Sequence, residues 1–113
     1  MGSRPPSPEQ LVDLAWLLDS ALVLRHRGRA LETADRLLEA LLDHDDAMLV
    51  RRRQLDAATA CALQQECMDL SRDVVTLLRK LRLGTLREPI QFRHRMERLV
   101  DDEALALGSL ASS

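Results

Sequence analysis

Between Gly28 and Gly84 the chain contains neither glycine nor proline, the two residues that most strongly interrupt a helix. All four glycines and all four prolines fall at or outside the edges of that run. Tyrosine is absent, and Trp16 and Phe92 are the only aromatics, so the β-forming residues that build sheets are scarce. There is a single lysine, Lys80, and there are two cysteines. Cys61 and Cys67 are six residues apart within one predicted helix and so point about 120° away from each other. They can neither bridge nor jointly grip a metal, and both read as small core residues of a protein kept in a reducing compartment. Four isolated glycines exclude a glycine-rich phosphate loop. No signal peptide, membrane-spanning run or lipidation signal is found, so the sequence points to a cytoplasmic location.

What is present is leucine, alanine and arginine. These are strong helix formers, and they predict an all-α fold. One uninterrupted helix over 29–83 would be about 80 Å long, too long for a compact domain of 113 residues. The expected architecture is therefore an antiparallel helical bundle or long helical hairpin of three to four helices with coiled-coil-like packing. Residues 1–7 read as a disordered leader, 8–107 as a single helical-bundle domain and 108–113 as a flexible tail.

The first helix opens at Ser7-Pro8-Glu9-Gln10, where serine caps, proline suits the first turn and Gln10 returns the capping bond. It is expected to reach about His26, ended by Gly28 among Arg25, Arg27 and Arg29. The second begins near Ala30, with Leu31, Ala34, Leu38 and Leu41 on one face. It then meets Asp43-His44-Asp45-Asp46, a polar point suited to a break; the alternative is a continuous helix that breaks around Arg51-Arg52-Arg53-Gln54. From Ala60 the apolar residues Leu63, Cys67, Leu70, Val74, Leu77 and Leu81 recur at alternating spacings of three and four, a coiled-coil-type seam. Gly84 ends it. A last helix is expected from about Pro89 to Leu107, introduced by Thr85-Leu86-Arg87-Glu88 and ended by Gly108.

Catalytic chemistry finds little footing. None of His26, His44 and His94 has a partner at the Glu-x-x-His spacing of di-iron bundles, and no base stands at a recognised spacing from either cysteine. The acidic tetrad around His44 reads as a solvated turn rather than a metal site. We expect no cofactor, metal or small-molecule substrate. A net charge of −2, from sixteen basic and eighteen acidic residues, provides no field to hold nucleic acid or an anionic membrane.

The first helix is the exception to this blandness. Leu11, Leu14, Ala15, Leu18 and Leu22 form one stripe, while Val12, Trp16 and Val23 form a second about 120° away, with Asp19 between them. A peripheral helix apolar on several sides suggests a docked partner. The last helix adds Phe92, Met96 and Leu99 beside Arg95 and Arg98, a charge-patterned face able to set register. The sequence therefore points to a non-enzymatic interaction module, an adaptor, small chaperone or assembly subunit, that binds itself or another protein through Val12, Trp16, Val23, Phe92, Arg95, Met96, Arg98 and Leu99. The alternatives are a small all-α enzyme with an arginine-lined site at a subunit interface, and a nucleic-acid-binding regulator.

Overall fold

A computed structural model describes residues 6–88 and 90–111. Four helices are found among them, α1 (Pro8–Val23), α2 (Arg27–Arg52), α3 (Ala57–Leu83) and α4 (Arg93–Ala111), with no strand. Helix accounts for most of the described residues. Residues 1–5 of the expected leader, Pro89 as a helix start and 112–113 of the expected tail lie outside the described residues. Each helix packs against the next, and α4 closes the ring against α1 as well as α3.

Local chemistry accounts for each boundary. Ser7 forms the capping box: the Gln10 N–H donates to Ser7 Oγ at 3.2 Å, and the Ser7 N–H donates to Gln10 Oε1 at 2.8 Å. The first helix ends three residues earlier than expected, because Arg25 rather than Gly28 takes the left-handed conformation, at φ 55°. The His26 N–H then reaches Ala21 O and the Arg25 N–H reaches Leu22 O, the bond pair that closes a Schellman turn. Gly28 consequently lies inside the first turn of α2. At the end of α3, Gly84 (φ 69°) makes the same turn, with Thr85 N–H on Lys80 O.

The break between α2 and α3 falls at 53–56, not at the acidic tetrad. Asp45 explains why: its carboxylate meets Arg52 Nη1 at 2.5 Å, and residues seven apart share a face only if the helix runs unbroken between them. Asp56 then caps α3 by accepting from Thr59 N–H at 3.1 Å, and the Thr59 side chain together with this amide holds its carboxyl below the ordinary value.

The last helix begins four residues later than expected and continues through Gly108. Its N-terminus is capped from another helix, since Asp19 of α1 accepts from Phe92 N–H at 2.8 Å and Arg93 N–H at 2.9 Å. A capping box at Thr85 is not used; residues 85–88 and 90–92 lie outside any helix.

The core joins Leu11, Ala15, Leu18 and Leu22 of α1 to Ala34, Leu37 and Leu41 of α2, and to the whole α3 seam from Cys67 to Leu81. On α2 the inward position is Leu37, with Leu31 and Leu38 half-buried at its edge. Burying each such leucine contributes about 2 kcal/mol before entropy is counted. The helices differ in length: α1, of 16 residues, spans about 24 Å, and α2, of 26, about 39 Å. Because Pro6 and Gln10 lie beside Asp43, the last two turns of α2 extend past the start of α1.

Candidate interaction surface

The exposed apolar side of α1 is where an interface would be expected. Trp16 is 47% exposed and Val23 63%, and Leu17 and Leu24 stand beside them in solvent. The Arg93 guanidinium lies over the Trp16 ring, 3.7 Å from its centroid. That geometry is attractive through the ring quadrupole and leaves the outer part of the indole open. Arg93 is held in place by its own backbone bond to Asp19 and by Glu97, whose Oε1 lies 3.6 Å from Arg93 Nε. Trp16, Ser20, Val23, Gln91 and His94 line a shallow cleft around the stack. The surface thus combines an aromatic and branched aliphatics of α1 with an arginine from the start of α4.

The residues expected to share this surface divide between it and the interior. Trp16 and Val23 lie on it. Val12 is half-buried and packs against the core. Phe92, Met96 and Leu99 are completely buried, which corrects their assignment to a partner face. The reason is topological: α4 closes the bundle between α1 and α3, so its apolar stripe is spent internally. Arg95 is tied to Asp73 of α3 at 2.6 Å, and Arg98 is exposed. Cys61 is exposed rather than a core residue, while Cys67 is buried as expected.

Sequence reasoning missed a polar cluster inside the bundle. His44, read as part of a solvated turn, is buried, and its Nε2 lies 2.8 Å from Glu103 Oε1. Arg52, 3% exposed, pairs with Asp45 and places Nη2 3.8 Å from Glu103 Oε2. Among the described residues, Arg52 Nε and Nη2 and Glu103 Oε2 are buried with no hydrogen-bond partner. The cluster sits in the part of α2 that extends beyond α1, where, among the described residues, α2, α3 and α4 surround the core. A signal was present: His44 follows Leu37 and Leu41 in the core register of α2, and Glu103 follows Met96 and Leu99 in that of α4. A cation-bearing stripe and an acid-bearing stripe in matching inward positions imply a buried pair.

Burial pushes the neighbouring Cys67 thiol up to about 11, and its Sγ faces Leu41 O at 3.9 Å, so it remains a thiol rather than a nucleophile at neutral pH. Among the described residues no group of three or more His, Cys, Asp or Glu side chains could hold a metal ion. Glu66 and Asp102 meet nearby across α3 and α4. Burial, and after it the Asp102 carboxylate, raises the Glu66 carboxyl above its ordinary value. No described helix is long and apolar enough to cross a membrane. No protein-family model, curated protein or solved structure matches the chain.

Proposed function

We propose that the chain is a non-enzymatic helical interaction module that buries the Trp16 face of α1 in a complex, with a second copy of the chain as the occupant. The observation that carries this reading is the Trp16–Arg93 stack, formed between α1 and the start of α4 and left open to solvent. Tryptophan and arginine are the residue types that dominate interface energetics, and here both are already ordered before any partner arrives. Charge supports pairing with itself. Exposed Glu9 and Asp13 lie toward the start of α1 and Arg25 just beyond its end, so two copies running antiparallel would set acid against base at both ends. Two free cysteines suit a reducing, cytoplasmic setting.

The alternatives draw less support. Arg52 is engaged with Asp45 and Glu103 inside the bundle, which removes the middle of the Arg51-Arg52-Arg53 run from any nucleic-acid face or open catalytic pocket. The test is absolute mass by light scattering on a size-exclusion column over a range of concentrations. Wild type is expected to associate as concentration rises, and Trp16→Asp to remain monomeric with unchanged helical content. A wild-type monomer throughout would overturn self-pairing, and a pull-down comparing the same two proteins would then ask for a different partner.

A further inference from the structure

The end of the bundle where α1 turns into α2 and α3 stops holds a cavity of about 250 Å³. Leu22, Leu81 and Leu86 give it apolar walls, and its rim carries Arg25, Arg27, Lys80 and Arg87 with Glu88 as the single carboxylate. Four cations against one anion leave three positive charges around one small concavity (4 − 1 = 3). Their mutual repulsion is a cost unless something offsets it.

Basic side chains at helix C-termini commonly serve the terminal carbonyls, and at this end of the molecule that task is already done. Ala21 O and Leu22 O accept from His26 and Arg25 N–H, and Lys80 O and Leu81 O accept from Thr85 and Gly84 N–H. The Arg27 side chain takes Arg82 O at 2.9 Å. Among the described residues, the side chains of Arg25, Lys80 and Arg87 have neither a carbonyl nor a carboxylate partner. Arg25 moreover occupies a left-handed position where glycine or asparagine would sit more easily, so its charge is placed at the rim against a steric preference. The start of α2 forms part of the wall and adds the positive end of its dipole, set against the negative ends that α1 and α3 present to the same cavity, so the rim side chains carry the attraction for an anion.

We propose that this cavity binds a small phosphomonoester, its phosphate held by Arg25, Lys80 and Arg87 and its organic part resting on Leu22, Leu81 and Leu86. Guanidinium groups match phosphate geometry, and a dianion offsets most of the three excess charges where a monocarboxylate leaves two. The volume lies just below the roughly 300–1,000 Å³ of drug-sized ligand sites, which limits the ligand to a compact one.

The test is a series of ¹H–¹⁵N titrations of the full chain at fixed ionic strength with phenyl phosphate, inorganic phosphate and benzoate. Phenyl phosphate is expected to bind saturably, to shift the amides of Ala21, Leu22, Ala30, Leu81 and Leu86, and to outcompete both other probes by about threefold or more. Arg25→Asn combined with Lys80→Gln should weaken it about five- to tenfold while leaving the thermal midpoint at or above that of wild type. Arg87→Gln, in a non-helical segment, provides an independent variant that should also weaken binding. The proposal fails if benzoate binds as tightly as phenyl phosphate, if shifts spread equally to distant arginines such as Arg72, or if affinity is unchanged in these variants.

Discussion

Asp19 links two helices that are 73 residues apart in the chain, and removing it isolates the energetic worth of a cap supplied from outside the helix it serves. In Asp19→Ala both the Phe92 and Arg93 N–H groups lose a charged acceptor at 2.8 and 2.9 Å. Phe92 is fully buried, which limits how well water can replace the bond. A lost N-cap costs about 1 kcal/mol and up to about 2, and the unpaired second donor adds about 1. Alanine returns about 0.5 kcal/mol because it is a better residue than aspartate inside α1. The net expectation is about 2 kcal/mol, or a fall of about 8 °C in Tm for a domain of this size. Asp19→Asn retains one acceptor and should lose about half as much. Urea unfolding with an unchanged m-value measures the loss, and amide exchange should quicken first at residues 92–96. Asp13→Ala, on the same helix but exposed, serves as control and should stay within about 0.5 kcal/mol of wild type. If Asp19→Ala proves as mild as that control, the cap is not what seats α4.

Glu103→Ala leaves His44 without its partner while Arg52 keeps Asp45, and should cost about 1–3 kcal/mol in urea unfolding, whereas replacing His44, Arg52 and Glu103 together with leucine or methionine should come within about 1 kcal/mol of wild type or exceed it. In the native state at pH 8 a thiol reagent should modify Cys61 rapidly and Cys67 only as fast as the protein unfolds, since that thiol is buried and raised to about 11; equal rates would contradict the packing around Leu41. Glu66 has a raised carboxyl pKa, so the folded state binds its proton more tightly than the unfolded chain does. Its stabilising effect is complete below the ordinary value of 4.5 and is lost as pH rises through the raised folded value. Glu66→Gln should therefore match wild type near pH 4 and equal or surpass it in Tm at pH 7, with a loss at neutral pH arguing against the Asp102 contact.

The helical class was legible because propensity and apolar spacing agreed along most of the chain. The seam from Leu63 to Leu81 is buried at every expected position, and the Ser7 and Gly84 termini follow from local chemistry alone. What failed was everything decided by contacts between distant residues. The start of α4 depends on Asp19, which no local pattern around Thr85 reveals. The acidic tetrad looked like a break because its charge was counted without Arg52, two turns later, and without Glu103 on another helix. Phe92, Met96 and Leu99 were read as a docking face because an amphipathic stripe looks the same whether its cover comes from the same chain or from a partner. Trp16 differs in standing on a helix that already has a full core-facing stripe, so a second apolar side was surplus from the start.

The shortness of α1 has a mechanical consequence. Where all four helices run side by side the interior is hydrocarbon from Leu11 through Leu37 and Val74 to Leu77. Past Pro8, among the described residues, only three helices line the interior, and a buried ionic cluster stands beside Met48 and Leu63, with two donors and an acceptor that have no described partner. Opening that end returns charged groups to water and exposes Met48 and Leu63 rather than the main cluster, which makes it the less costly end to open. Amide exchange is therefore expected to be faster around the α2–α3 turn than in the hydrocarbon layer around Leu37 and Val74, and equal protection at both would contradict this reading.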